Sequence, residues 1–462
     1  MATVLLEMAG HMENVGLGIG EMKGKLLRLI RLAVEVKPDE LAALLWSFAY
    51  FFSLLCGYFV LRPIRDEMGV AAGPGMLPYL FTGTFFAMLC VIPFFGWVVK
   101  NFRRSQFIPY TYWFFIANIA IFWVLFQTDF ERTYIARAFF VWTSVYNLFV
   151  VSVFWSFMTD IFKTDQGKRL FGFIAAGGTT GTILGPTVTF TLAVEMGPAN
   201  LMLVTASLLA FASLCVRQLT RLARAQASDT QAAEPEAIGG GILAGISEAV
   251  KSPYMLGICA FMLLYTTTST VLYFQQADIV RAAFSDAGER TRIFAGMDLA
   301  VSTLTLLCQL LATGRLVKRF GVTPAIMALG AITAIGFAAL AIAPTMAVLI
   351  AFQIVRRSAD YAIQVPSLNV LYTGVSREQR YTTKNFIDTA GFRGGDMASG
   401  WAYQGLARGL GLDIATIFWL CVPVAVVWMA VAWWLGQTQD KMTQDKMATN
   451  NIEAPTAPQT GG

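Results

Sequence analysis

Twelve long apolar segments, separated by short polar ones, set the pattern of this 462-residue chain. They cover residues 41–61, 75–99, 107–127, 134–159, 170–194, 198–217, 253–276, 293–314, 323–343, 346–372, 385–407 and 413–435. Each approaches or exceeds the roughly 20 residues with which a helix crosses a bilayer. Barrel strands would be shorter and would alternate in polarity, and backbone polar groups in lipid must be paired. The pattern therefore predicts an all-α membrane protein with twelve transmembrane helices.

The composition supports a membrane protein and excludes several kinds of site. Hydrophobic residues make up 56% of the chain, charged residues only 14%, and the mean hydropathy is +0.59. All six cysteines lie in apolar spans without a CxxC pair, which argues against a disulfide framework or a zinc site. The single histidine, His11, lies in a polar segment. We expect no metal, no cofactor and no histidine-based catalysis.

Basic residues are distributed unevenly between the loops. If the N-terminus is cytoplasmic, 23 of the 34 lysines and arginines fall in cytoplasmic segments, eight on the opposite side and three inside spans. This bias follows the positive-inside rule. We therefore expect a multi-pass protein of the cell (inner) membrane with both termini in the cytoplasm. The net charge of +5 is spread over loops that flank the bilayer, so it indicates no nucleic-acid partner.

Polar segments divide the chain into five predicted units. These are 1–40, a cytoplasmic N-terminal segment; 41–217, six helices; 218–252, a cytoplasmic linker; 253–435, six more helices; and 436–462, a polar, repetitive tail predicted to be disordered. Within the first unit, basic and apolar residues alternate at helical spacing over 23–37. This segment is predicted to form an amphipathic helix that lies on the inner leaflet or packs against the bundle.

The two six-helix halves resemble each other in sequence. "GWVVKNF" (96–102) and "GRLVKRF" (314–320) share Gly, Val, Lys and Phe, and each follows the second helix of its half. A weaker match sets "IAR" (135–137) against "IVR" (354–356). Parallel six-helix repeats with a basic Gly-x-x-x-Lys loop resemble the major facilitator superfamily of transporters. The resemblance implies a 6+6 pseudo-symmetric bundle whose substrate site lies near the membrane midplane between the halves.

The same resemblance implies a cytoplasmic gate built from basic loop residues. The predicted gating residues are Lys100, Arg103, Arg104, Lys168, Arg169, Arg315, Lys318 and Arg319. Their alternative role is to set topology only. The segment "AAGGTTGTILGP" (175–186) resembles the glycine-rich fifth helix of facilitator-type antiporters, and its alternative interpretation is a tight helix crossing.

Three blocks resemble the nucleotide translocases of obligate intracellular bacteria and plastids. They are "DELAALLWSFAYFFSLLCGYFVLRPIRD" (39–66), "FWSFMTDIFKTDQGKRLFG" (154–172) and "DYAIQVPSLNVLYTGVSREQRYTTKNFIDTAGFRGG" (360–395). The matching residues are Tyr58, Leu61, Arg62, Arg65 and Asp66, then Phe154, Trp155, Phe157, Asp165, Lys168 and Arg169, then Tyr361, Tyr372, Lys384, Asp388 and Arg393. The resemblance implies an ATP/ADP translocase-like carrier.

The chain departs from that family at two places. The family usually has a Lys-Glu pair after the tenth-helix tyrosine, whereas this chain has Leu368 and Asn369. Its seventh helix usually carries an acid and a lysine, whereas this chain has Gln275 and Gln276. The resemblance therefore extends to the fold, and the identity of the substrate stays open.

Ionisable residues inside apolar spans are the candidate site, because such groups are costly in lipid unless paired or hydrated. With the matching residues outside the spans, the predicted substrate-binding set is Arg137, Arg356, Arg357, Asp360, Lys384, Asp388, Arg393, Asp396, Arg62, Arg65 and Asp66. Arg137 and Arg356 hold equivalent places in the halves, so we expect them to converge on an anion. Arg356 and Asp360 are spaced to form an ion pair on one helix face. That pair, or other salt bridges between helices, is the structural alternative to anion binding.

The charged segment from Arg62 to Glu67 follows the first apolar span, so it is predicted to lie at the outer mouth. There it would attract anions or lock the outer face by salt bridges that break on opening. Asp360, Asp388 and Asp396 could bind protons in a coupled cycle, which is an alternative to anion binding.

These observations favour a secondary transporter that works by alternating access. Its expected substrate is an anionic metabolite, either a nucleotide or another phosphorylated or organic anion, and exchange is one mode that it could use. The alternative is a proton-coupled facilitator of an uncharged or cationic compound. A sensor or lipid-binding scaffold is a third hypothesis. An enzyme is disfavoured because no loop carries a nucleophile constellation or a phosphate-binding Gly-Lys-Ser loop. We expect a small-molecule substrate, the lipid bilayer as surroundings, and function as a monomer.

Overall fold

A computed structural model describes residues 35–101, 104–128, 131–226, 252–313, 321–372 and 387–453, with the single positions 319, 375 and 384. Regular structure in these ranges is entirely helical, which confirms the all-α prediction. The amphipathic helix predicted over 23–37 lies outside the described residues except for its last three positions. Most of the predicted linker also lies outside them, and its first nine residues continue a helix.

The first half of the molecule, the N half, contains five helices. They are α1 (Leu41–Ala71), α2 (Leu77–Asn101), α3 (Arg104–Phe126), α4 (Arg132–Ile161) and α5 (Thr164–Gln226). Gly197 divides α5 into two arms, because its φ of 75° is a left-handed conformation that glycine adopts without strain. Pro198 follows and starts the second arm, since proline suits the first turn of a helix. The break falls between the fifth and sixth predicted spans.

The second half, the C half, contains seven helices. They are α6 (Pro253–Ala283), α7 (Ala287–Cys308), α8 (Val322–Ile342), α9 (Met346–Ala359), α10 (Val365–Leu371), α11 (Phe392–Gln404) and α12 (Ile414–Glu453). Four π-helical turns adjoin them, at Gln309–Thr313, Asp360–Gln364, Ile387–Gly391 and Gly405–Gly409. Such turns admit an extra residue and are frequent at functional sites.

Nine helices in the described residues are long and apolar enough to cross a membrane. One of the nine is α5, whose two arms correspond to two predicted spans. The tenth and eleventh predicted spans are also helical, but π turns interrupt them and charged residues lower their hydropathy. The chain is a multi-pass helical membrane protein, and the number of twelve spans stays a prediction.

The two ends of the bundle are named after α1, which follows Glu40 and ends at Ala71. At the Ala71 end, α1 meets the start of α4 and of α7, since Glu67 contacts Arg132 and Arg290. The last turn of α6 reaches the same end, where Arg281 donates to the carbonyl oxygen of Val70. Helix α6 therefore begins at the Glu40 end.

Helices α1 and α5 cross very closely in the N half. A Cβ atom added to Gly181 would lie 2.7 Å from the Phe52 carbonyl oxygen and 2.7 Å from the Cys56 nitrogen. A Cβ atom on Gly185 would lie 2.5 Å from the Cys56 carbonyl oxygen. The glycine-rich segment thus forms a tight crossing, because residues four apart share one helix face and glycines let backbones approach.

The tail after residue 435 differs from the prediction of disorder. Helix α12 continues through Glu453, and its extension contacts the base of the C half. The buried Gln439 side chain accepts a hydrogen bond from the Tyr254 hydroxyl at 3.1 Å, and Thr323 donates to Asp440 at 3.3 Å. These tertiary contacts favour a helix that composition alone does not predict.

Candidate substrate cavity

The charged segment that follows the first apolar span does not lie at a helix end. Helix α1 continues through Pro63 to Ala71, so Arg62, Arg65 and Asp66 are helical residues inside the bundle. This corrects their predicted position at the outer mouth. The apolar run ends at Leu61 because the charged side chains beyond it make polar contacts inside the protein rather than facing lipid.

Polar contacts from this segment join the two halves at the Ala71 end. Arg62 Nε lies 3.6 Å from Asp298 Oδ2 on α7, and the Tyr273 hydroxyl on α6 donates to Asp66 Oδ1 at 2.9 Å. Arg290 Nη2 donates to Glu67 Oε1 at 2.9 Å. These three contacts are called the interhalf lock. Their partners come from two helices of the C half, α6 and α7, so the lock closes the space between the halves at this end.

A cavity of about 220 Å³, the central cavity, lies beside the lock. It brings together eight of the eleven predicted substrate-binding residues: Arg62, Arg65, Asp66, Arg356, Arg357, Asp360, Arg393 and Asp396. The uncharged part of the wall is polar and aromatic, and includes Tyr265, Ser269, Tyr273, Gln276 and Gln353. Helices α1, α6, α9 and α11 thus supply a strongly ionic chamber between the halves.

Four of the five cavity arginines lie within 4 Å of a carboxylate. Asp298 pairs with two of them, through Arg357 Nη2 at 2.5 Å and Arg62 Nε at 3.6 Å. Arg65 lies 3.3 Å from Asp66, and Arg393 lies 3.3 Å from Asp396. Pairing offsets the cost of placing these charges in the membrane interior.

Arg356 is the exception. Its side chain is only 3% exposed, and the structure records no carboxylate within 4 Å of it among the described residues. Its Nε donates to Thr333 Oγ1 at 3.1 Å, and its Nη2 donates to Ser269 Oγ at 2.7 Å and to Thr268 Oγ1 at 3.3 Å. Hydroxyl groups orient the guanidinium without neutralising it. A buried guanidinium without a carboxylate within 4 Å among the described residues therefore faces the central cavity, and the Asp360 carboxylate of the same wall lies beyond Tyr265.

The predicted ion pair between Arg356 and Asp360 is absent from this arrangement. Asp360 accepts a hydrogen bond from the Tyr265 hydroxyl at 2.6 Å, and the Arg356 guanidinium lies 5.5 Å from the centre of the Tyr265 ring. The tyrosine stands between the two charges and binds each of them. Asp360 also starts a π turn, so the regular i,i+4 geometry on which the prediction depended ends at this residue.

Arg137 does not join the cavity. It lies five residues into α4, about 8 Å along the helix axis, whereas Arg356 lies ten residues, about 15 Å, into α9. Arg137 donates to the Ala72 carbonyl oxygen at 3.4 Å and stacks on Tyr134. The expected convergence of the two arginines is therefore not formed, because the short match between "IAR" and "IVR" does not place them at equal depth.

Lys384 lies in a second cavity of about 490 Å³. Its ammonium group donates to Asn369 Oδ1 at 2.7 Å and lies 5.6 Å from the centre of the Tyr372 ring. The hydroxyl of Tyr254, in the first turn of α6, donates to the Leu371 carbonyl oxygen, so this region is near the Glu40 end. The side chain of Asp388 lies outside the described residues.

Five of the eight predicted gating residues lie outside the described part of the chain, either wholly or by their side chains. Arg103, Arg315 and Lys318 lie outside the described residues, as do the side chains of Lys100 and Arg104. The described members are Lys168 and Arg319, which are exposed, and Arg169.

Arg169 forms an ion pair within the N half rather than across the halves. Its Nη2 lies 3.0 Å from Glu40 Oε1, and Gln166 donates to the same carboxylate at 3.0 Å. Burial raises the pKa of Glu40, but hydrogen bonds from Arg169 and Gln166 outweigh this effect and lower the pKa to about 2. Glu40 therefore ties the start of α1 to the start of α5 as a stable carboxylate.

The predicted substrate-binding set lacks three residues on which the arrangement depends. Asp298 is 1% exposed and pairs with two cavity arginines, yet its only signal is an acid inside an apolar span. Glu67 is fully buried in the lock, although its neighbours in the sequence were chosen as candidates. Tyr265 looks like any aromatic residue in a membrane helix, so no sequence signal identifies its contacts with Arg356 and Asp360.

Several solved structures of membrane transporters share the fold of this chain. A nucleoside transporter NupG variant aligns with a TM-score of 0.60 at 15% identity, over 86% of this chain and 99% of its own. The peptide transporter PepTSo of the POT family aligns with 0.60 at 13% identity, over 86% and 98%. A bacterial homologue of the human lysosomal transporter Spinster aligns with 0.59 at 15% identity, over 88% and 99%.

Comparisons of the sequence with protein families and curated proteins give no match. The structural likeness extends over almost the whole length of each transporter, and it supports the predicted major facilitator-type architecture. It does not extend to the ATP/ADP translocases specifically. The chain has the all-α fold of major facilitator-type membrane transporters.

Proposed function

We propose that the protein is a secondary transporter that moves a small anionic metabolite across the membrane by alternating access. The observation that carries this proposal is Arg356, a buried guanidinium held by three hydroxyl groups and without a carboxylate among its described neighbours. A cation in the membrane interior needs an anionic partner. In the central cavity that partner is the substrate.

The neighbouring charges support an anion rather than a cation. Five arginines and three aspartates line the central cavity. Each of the arginines other than Arg356 already has an acid within 4 Å, so the paired charges contribute less to the field at the site. The hydrogen bonds recorded for Arg356 use Nε and Nη2. Its Nη1 group is thus suited to donate to a phosphate or carboxylate oxygen.

The interhalf lock supports alternating access. The contacts of Asp66, Glu67 and Arg62 close the Ala71 end, which our topology places outside, while the second cavity continues from the central cavity towards the Glu40 end. This arrangement corresponds to an inward-facing carrier. An anion that binds near Arg62 and Arg357 competes with Asp298 for both of them. Binding would therefore weaken the lock and favour opening at the Ala71 end.

Uptake into liposomes tests the proposal. Purified protein is reconstituted and assayed with labelled nucleotides, sugar phosphates, dicarboxylates, amino acids and a cationic compound, with and without internal anion to reveal exchange. We expect uptake of at least one anion, and its loss in Arg356→Ala with Arg217→Ala as the matched control, since Arg217 is exposed on α5. Uptake restricted to uncharged or cationic compounds would overturn the proposal.

A proton-coupled carrier is the second candidate, and Asp360 is the observation that favours it. Its buried carboxylate accepts a hydrogen bond from Tyr265, and no cation lies within 4 Å of it among the residues described. Such a carboxylate can take up a proton without breaking an ion pair. Proton coupling predicts that Asp360→Asn abolishes uptake driven by a pH gradient while exchange continues. An unchanged response to the gradient would exclude Asp360 as the proton site.

A further inference from the structure

The second cavity shares a wall with the central cavity, and this continuity carries an inference about the substrate. Tyr265, Asp360, Tyr361, Phe392 and Arg393 line both cavities. One side of this wall holds Arg356 and the arginine–aspartate pairs. The other side is lined mainly by apolar and aromatic side chains. The two cavities therefore adjoin, and a ligand that touches Arg356 lies next to the second cavity.

We propose that the second cavity binds the uncharged part of the transported anion, a planar apolar ring that bears a hydrogen-bond donor. The inference rests on the proposed function, since it assigns the rest of the molecule whose anionic group binds at Arg356. The substrate is thus an organic anion in which a phosphate or carboxylate is joined to a donor-bearing ring, rather than a small inorganic or aliphatic anion.

The shape and chemistry of the walls support a ring. The cavity measures about 490 Å³, roughly twice the central cavity. Its walls include Met262, Leu368 and Phe392, with the Tyr372 ring next to Lys384. Aromatic and aliphatic side chains favour a planar apolar group, which removes their surface from water when it binds. Aromatic rings also favour stacked or edge-to-face contacts with a ring.

Gln364 supports the presence of a donor on that ring. Its side chain is 3% exposed, it lines the second cavity, and its Oε1 atom has no hydrogen-bond partner among the described residues. A buried acceptor without a donor is unfavourable. Gln364 is the last residue of the π turn Asp360–Gln364 and lines the second cavity. Asp360, the first residue of the same turn, lines both cavities. An amino or hydroxyl group on the ring would supply the missing hydrogen bond.

Two series of small anions test the inference on the purified full-length chain. The phosphate series is methyl phosphate, phenyl phosphate, 4-methylphenyl phosphate and 4-aminophenyl phosphate, and the carboxylate series is acetate, benzoate, 4-methylbenzoate and 4-aminobenzoate. Isothermal titration calorimetry gives each Kd. In at least one series, we expect the phenyl compound to bind about tenfold more tightly than the methyl compound because of apolar burial. We expect the amino compound to bind about fivefold more tightly than its 4-methyl counterpart.

Two variants attribute these gains to the second cavity. Leu368→Trp fills the cavity and should remove the advantage of the ring while the Kd of the methyl compound stays unchanged, which also shows that the variant is folded. Gln364→Leu should remove only the advantage of the amino group. Leu263→Trp is the matched control, because Leu263 is 50% exposed on α6 and lines neither cavity.

The outcomes separate the inference from the proposed function. If methyl phosphate or acetate binds in an Arg356-dependent way but rings give no advantage, the inference is wrong and the proposed function stands. A ring advantage that survives Leu368→Trp also overturns it, because the ring then binds elsewhere. If neither series binds, or Arg356→Gln binds both as well as the wild type, the anion site itself is refuted and the inference fails with it.

Discussion

The two halves of the molecule differ in how their helices pack and in how many of their helices are interrupted. The N half is held by close backbone contact and aromatic packing, with α1 against the glycines of α5 and with Tyr50 in edge-to-face contact with Tyr112 and Phe154. The C half contains every π turn recorded in the described residues and supplies Arg356, which has no carboxylate partner there. The N half is therefore packed mainly through close apolar contacts, whereas the C half contains more interrupted helices and buried polar groups.

Asp298 is the residue at which the two halves depend on each other most. Asp298→Asn leaves Arg62 of the N half and Arg357 of the C half without this acid. We expect it to lower the free energy of unfolding by about 3–5 kcal/mol, the usual cost of breaking a buried ion pair. Thermal unfolding in detergent measures the change.

Two further variants control that prediction. Asp278→Asn removes an exposed aspartate that pairs with Arg281 on one helix, and should change stability by at most about 1 kcal/mol. Adding Arg357→Gln to Asp298→Asn should recover part of the loss. Equal effects for Asp298→Asn and Asp278→Asn would show that the buried pair does not stabilise the bundle.

The packing of the N half is tested by two glycines on the same helix. Gly181→Ala places a Cβ atom against the backbone of α1 and should destabilise the protein by about 1–3 kcal/mol. Gly172→Ala meets no atom within 4 Å and should be neutral or slightly stabilising, since alanine favours helix. Thermal unfolding of both variants decides. Equal melting temperatures would contradict the close crossing.

The lock is tested by removing one hydroxyl. Tyr273→Phe deletes the hydrogen bond to Asp66 between the halves, a bond to a charged group that contributes about 1.5–3 kcal/mol. We expect a shift towards the conformation open at the Ala71 end. Cysteine labelling at Met76, a partly buried residue in the loop after α1, measures that shift. An unchanged labelling rate would show that this bond does not hold the end closed.

Replacing Glu40 is expected to cause the smallest change in stability, and this change should depend on pH in a defined direction. Its folded-state pKa of about 2 lies below the ordinary value of 4.5, so its stabilising effect is complete above pH 4.5 and disappears as pH falls through 2. Glu40→Gln should therefore be less stable than the wild type by a constant amount at neutral pH. The difference should shrink between pH 4.5 and 2. A difference that grows on acidification would contradict the sign.

The sequence predicted the helices well where the apolar runs are long. It also predicted most of the charged residues that line the central cavity. Eight chosen residues line one cavity because ionisable groups inside apolar spans avoid lipid and face one another or a hydrated space. It could not predict that α1 continues to Ala71, since the charges that end its apolar run face the other half of the molecule. Nor could it predict the π turns, which depend on tertiary packing.

Pairing between distant residues was the least predictable feature. Arg356 and Asp360 are spaced for an ion pair, but hydroxyl groups from α6 and α8 bind the first, and Tyr265 binds the second. Asp298 pairs with residues 236 positions before it and 59 positions after it in the chain. A periodicity of 3.6 residues carries information on neighbours within a helix and none on such partners.

Anion-dependent stabilisation tests the central claim most directly. The melting temperatures of the wild type, Arg356→Ala and Arg217→Ala are measured in increasing concentrations of the anion that gives the strongest uptake, with ionic strength held constant by a non-transported salt. A ligand that binds the folded state raises its stability with concentration. The account predicts a concentration-dependent rise in the wild type and in Arg217→Ala, and no rise in Arg356→Ala. An equal rise in Arg356→Ala would contradict it, because the anion would then bind without the one cavity arginine that lacks a carboxylate among the described residues.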